Sequence, residues 1–149
     1  MVLSRAFVRE PEPGDPLCPG CGGAGRAVGL PTLEALLRAE DRAGLTGTAY
    51  YCDSASCATA YFTGLGAAVP AERLLASAHP KDPAGPICPC TGLTAADVAA
   101  DAREGRKDRV KAIRDRAEAA PSECARRSPD GGSCVPRVFR LFRETLEAR

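Results

Sequence analysis

The 149-residue sequence contains no tryptophan, one methionine and one histidine, and its other large rings are only four phenylalanines and three tyrosines. Any core must therefore be small, because much of the 44% hydrophobic content is alanine, which removes little area from water. The single histidine, His79, leaves almost no material for a hydrolytic site built on a His-bearing triad or for catalytic zinc held by two or three imidazoles. Lying before a proline in a Pro-rich stretch, it is expected to face solvent. No run approaches the roughly 20 apolar residues of a membrane-spanning helix. The opening MVLSRAFVREPEPGDP lacks the apolar centre of a secretory signal. The expected location is the cytoplasm, with no membrane insertion, where thiols stay reduced and short Cys spacings point to metal rather than to disulfides.

Charge of one sign is also lacking, the formal net value being +1, but its distribution is uneven. Residues 1–100 hold 7 Lys and Arg against 10 Asp and Glu, and residues 101–149 hold 13 against 9. A basic second half suits nucleic acid, an acidic partner or a cluster of thiolates in need of compensation. The segment EGRKDRVKAIRDRAEA alternates acids with bases and interleaves no aromatic residue for base stacking. Nucleic acid is accordingly not expected as a partner.

What the chain does have is eight cysteines in two groups: Cys18, Cys21, Cys52 and Cys57, then Cys88, Cys90, Cys124 and Cys134. The Pro-rich stretch SAHPKDPAGP between the groups reads as a linker, with a boundary near Lys81. In the first group, CPGC precedes a second pair in CDSASC by some thirty residues, the layout of a zinc ribbon in which two knuckles give one zinc four ligands. The four-residue gap of the second pair leaves room for Asp53 to replace a thiolate, though four Cys are expected. RAVGL reads as a short strand, TAYYC and ATAYFTG as a hairpin around Cys52 and Cys57, and PTLEALLRAEDRAG as one helix capped by Thr32 and stopped at Gly44.

In the second group, Cys88 and Cys90 flank one proline in ICPC, an arrangement poorly suited to a mutual disulfide but able to chelate one metal atom. That suits one iron of a [2Fe-2S] centre, with Cys124 and Cys134 holding the other. Arg126 and Arg127 would add positive charge beside it, and the glycines of SPDGGSC allow backbone N–H groups to approach sulfur. Three helices are expected here: LTAADVAADAREG, with a capping box from Thr94 to Asp97, then RKDRVKAIRDRAEAAP, and VPRVFRLFRETLEAR with an apolar stripe. The fold class expected is α+β, with a zinc-ribbon-like β module and a helix over residues 1–80 and a helical [2Fe-2S]-binding module over residues 81–149. A structural adaptor with two zinc ions would also satisfy eight thiolates. A secreted disulfide scaffold fits less well, lacking a signal and carrying the awkward Cys-x-Cys.

CPGC at 18–21, YYCDSASCATAYF at 50–62, ICPC at 87–90 and CARRSPDGGSC at 124–134 together resemble the N-terminal metal-binding domain of the CopZ-type copper chaperones. In that family a small zinc module is joined to a [2Fe-2S] module akin to the bacterioferritin-associated ferredoxin domain. The resemblance covers nearly everything after about residue 15. It implies the same two metal centres and a redox accessory or metallochaperone role, an electron carrier with possible metal-ion reductase activity, Cu(II) to Cu(I), rather than a conventional enzyme. Its implied partners are a copper-binding protein or a copper-transporting ATPase system and a redox partner. Full-length chaperones of this type add a βαββαβ domain with a Met-x-Cys-x-x-Cys loop. The one methionine here is Met1, so a copper-carrying partner would be a separate polypeptide.

Overall fold

The computed structural model describes residues 16–148. Almost all of the opening segment that was read as carrying no signal falls outside the described residues.

Short β-branched and aromatic runs make a four-stranded antiparallel meander, β1 (Arg26–Val28), β2 (Ala49–Tyr51), β3 (Thr59–Thr63) and β4 (Ala68–Pro70). Period-2 alternation divides its rings between two faces. Tyr51 and Tyr61 pair across β2 and β3 with centroids 5.5 Å apart, and join Leu33, Leu36, Leu37, Leu45 and Val69 in one core. Tyr50 and Phe62, 5.7 Å apart, pack on Cys18 and Cys52 instead. Burying Phe62 completely contributes about 2 kcal/mol, and here that burial also packs β3 against Cys18 and Cys52.

The helix expected over residues 31–44 is two helices, α1 (Leu30–Leu36) and α2 (Ala39–Ala43), with Leu37 and Arg38 extended between them. The break lets Leu37 and Leu45 reach the core that already holds Leu33 and Leu36. Thr32 is not the cap, because Gly29 takes that position ahead of Pro31, and the Thr32 side chain is buried.

The second half opens with a two-stranded ladder, β5 (Pro86–Cys88) and β6 (Leu93–Thr94), that the sequence pattern had not marked. Thr94 and Asp97 form the expected capping box, with bonds of 3.2 and 3.1 Å, and open α3 (Ala95–Glu104). Gly105 ends it at φ 72°, a left-handed position where a β-carbon would be strained. Next come α4 (Asp108–Ala119), α5 (Pro121–Arg127) and α6 (Val135–Glu147). α5 is a fourth helix where three were expected, and it leads into the SPDGG turn. α3 and α6 enclose a second core of Ile87, Val98, Ala102, Val138 and Phe142, to which α4 adds Val110 and Ile113. Asp101, 3% exposed, is neutralised by a bidentate Arg109 at 2.8 Å on both oxygens. No helix among the described residues is long and apolar enough to cross a membrane.

The two cores lie on either side of residue 80, and the turn at residues 128–132 is their main clasp. The buried Tyr61 hydroxyl donates to the Pro129 carbonyl at 2.5 Å. Asp130 accepts from Arg26 at 3.5 Å, from Arg137, and from the Gly132 backbone N–H at 2.9 Å.

Tyr61→Phe leaves that buried carbonyl without its donor. It is expected to destabilise the metal-loaded chain by about 1–2 kcal/mol, read as a lower denaturation midpoint. An unchanged midpoint would mean that the clasp contributes nothing.

Candidate metal centres

The β2–β3 connection and the segment before β1 each bend into a knuckle, and the two meet. In the first, Cys18 N–H donates to the Gly23 carbonyl at 2.8 Å and Gly22 N–H to the Cys18 carbonyl at 2.7 Å. In the second, the ladder continues through Cys52 N–H to the Ala60 carbonyl at 2.8 Å, and Cys57 N–H closes the turn on Ser54 at 3.3 Å. Gly20 has no room for a side chain, since a β-carbon would sit 2.9 Å from Cys57 Sγ and 2.8 Å from Thr59 Oγ1.

The result is four sulfurs within 4.8 Å of one another, Cys18 Sγ to Cys57 Sγ being 3.8 Å and Cys21 Sγ to Cys52 Sγ 3.7 Å. Metal–sulfur arms of about 2.3 Å in a tetrahedron give edges of about 3.8 Å, so the donor set fits zinc. Asp53 stands outside this group, which is made of cysteine alone. Backbone N–H groups point at the sulfurs, Gly20 at Cys18 at 3.4 Å, Ser54 at Cys52 and Thr59 at Cys57. The Thr59 bond holds the Cys57 thiol down at about 7, while burial pushes Cys52 up to about 12. Thiols crowded this closely cannot all ionise unaided, and a divalent cation removes the conflict.

Lys81 is the residue that sequence reasoning missed. Taken for part of a linker, its ammonium instead donates to Cys52 Sγ at 3.5 Å and to the Ser54 and Cys57 carbonyls at 2.7 and 2.8 Å. Nothing in one dimension marks it, because its partners lie 24 to 29 residues away.

The second group also converges. Cys88 ends β5, Cys90 lies in the turn to β6, Cys124 is in α5, and Cys134 caps α6. All four are free, and they line one small cavity with Ile113, Ala117 and Arg116. Cys88, Cys124 and Cys134 are buried and Cys90 is half-buried. Cys88 and Cys134 hydrogen-bond to each other, which with Thr91 draws the Cys88 thiol down to about 5 and forces Cys134 up. Burial and the neighbouring Cys88 and Cys124 raise Cys90, against the pull of Arg127 and Arg116. Arg126 and Arg127 are exposed and pair with Glu123 at 3.7 and 3.3 Å. Among the described residues, the first four cysteines are the one set of His, Cys, Asp and Glu side chains gathered closely enough for a single ion.

His79 does not face solvent as expected. It is half-buried with Nδ1 inside, and burial and Arg137 lower its affinity for a proton.

Residues 15–74 match the zf_CopZ family, described as a zinc binding domain. The fold is similar to that in the X-ray structure of the Archaeoglobus fulgidus CopZ N-terminal domain. The TM-score is 0.64 at 21% identity, over 84% of this chain and 96% of that one. At that identity the likeness is one of fold. No curated protein matches the chain.

Lys81→Met keeps the length of the stem and removes the cation. The zinc-loaded variant is expected to lose its ion to a competing chelator about tenfold faster than the parent chain, as loss of an outer-shell partner does elsewhere. Equal rates would leave Lys81 as a surface contact.

Proposed function

We propose that this protein is a one-electron carrier of the metallochaperone type, in which Cys18, Cys21, Cys52 and Cys57 hold a structural zinc and Cys88, Cys90, Cys124 and Cys134 hold a [2Fe-2S] centre. The observation that carries the reading is the difference between the two sulfur sets. The first four have tetrahedral edges, and the second four, with Cys88 and Cys90 one residue apart, line a separate shared cavity. Two thiolates flanking a single proline suit one iron of a two-metal centre, which favours that centre over the double-zinc adaptor. When bound, such a centre accepts and releases one electron at a time.

The chain's own residues suit that task. Ile113 and Ala117 give the cavity apolar walls that keep water from the sulfurs, and Arg116 with Arg127 offsets negative charge at Cys90. Cys90, the least buried of the four, is the edge nearest solvent. Copper enters through the CopZ-type likeness: its Cu(II)/Cu(I) couple needs one electron, and the metal is the cargo here. The division into modules over residues 1–80 and 81–149, and a cytoplasmic location, belong to the same proposal.

Protein purified without oxygen is expected to be reddish-brown with about two irons and one zinc per chain. Cys90→Ser should bleach it and leave zinc in place, whereas Cys21→Ser should lose zinc first. Colourless protein with two zincs would support the adaptor. For copper, the reduced protein mixed with Cu(II) and a Cu(I)-selective chelator should lose its reduced spectrum as Cu(I) forms one for one. Unchanged spectra would sever the copper link alone.

A further inference from the structure

An unused groove of about 650 Å³ lies between the two halves, and polar atoms of its lining have nothing to bond. Tyr51 is 2% exposed and its hydroxyl has no hydrogen-bond partner. Arg137 Nε and His79 Nδ1 are buried and equally unpartnered, and all three residues line this groove. The neighbouring Tyr61 already serves the clasp, so the orphaned Tyr51 hydroxyl is not part of it. A buried polar atom left unpaired costs stability, and three around one opening mark a place shaped for something polar.

The unpaired donors narrow the chemistry. Arg26 and Arg137 share the single carboxylate of Asp130, and Arg140 lines the same groove. Asp53 and Glu144 also line it, so three arginines meet three carboxylates; the buried donors left without an acceptor are Arg137 Nε and the Tyr51 hydroxyl. A buried hydroxyl and a buried guanidinium N–H that both lack an acceptor recognise an oxyanion. We propose that this groove binds the carboxylate or phosphate end of a small metabolite. Asp53 follows Cys52, Ile87 precedes Cys88 and Ser133 precedes Cys134 in sequence, so a bound anion would lie against the backbone of both cysteine groups. The proposal does not require iron at the second group.

The test uses the full metal-loaded chain, with radiolabelled succinate and inorganic phosphate as the two probes in equilibrium dialysis. One saturable site per chain is expected for at least one probe, and the one preferred identifies the source of the oxyanion. His79 is the only imidazole, so its C2–H resonance reports on the groove alone. A bound anion favours the imidazolium and should raise the pH at which that resonance titrates. Tyr51→Phe should weaken binding about tenfold by removing one bond to a charged group. Arg140→Gln, at an exposed position, should weaken it without touching the fold. Absence of saturable binding for both probes would overturn the proposal and leave the groove to water. So would binding that leaves His79 and both variants unaffected.

Discussion

Sulfur crowded on sulfur is the constraint from which the rest follows. Four thiols within 4.8 Å are stable as ligands only when a cation gathers their charge, and the chain supplies every geometric aid to that end. Two knuckles donate backbone N–H groups to sulfur, Gly20 leaves space for Cys57, and Phe62 packs against Cys18 and Cys52. With so few large side chains, the first half has a small core around Tyr61 and the leucines of α1. Metal binding energy is the natural supplement to it.

The two halves are less independent than a Pro-rich connector suggests. Lys81 lies on the second knuckle, and the 128–132 turn, which joins Cys124 to Cys134, is held by Tyr61 and Arg26 from the sheet. The first half therefore positions the loop between two candidate ligands of the second. α1 packs against α5, the helix that carries Cys124, and strengthens the same link.

Local signals were legible where local chemistry decides. The Thr94–Asp97 box, the stop at Gly105, the hairpin around Cys52 and Cys57 and the stripe of α6 all follow from turn chemistry and periodicity. The failures share a cause, which is tertiary override of local pattern. The α1–α2 break occurs because burying Leu37 and Leu45 outweighs helix continuity. Thr32 is drawn inward rather than capping, and α5 is a helix beyond the three expected in the second half. The convergence of the cysteines was readable from spacing, but Lys81, Asp130 and the groove behind Tyr51 were not, because their partners are remote in sequence.

The most direct measurement of the central claim is anomalous scattering from a crystal of the loaded protein, collected at the zinc and iron absorption edges. The account predicts one zinc peak amid Cys18, Cys21, Cys52 and Cys57 and two iron peaks amid Cys88, Cys90, Cys124 and Cys134. A zinc peak in the second group, or no iron there, would contradict it.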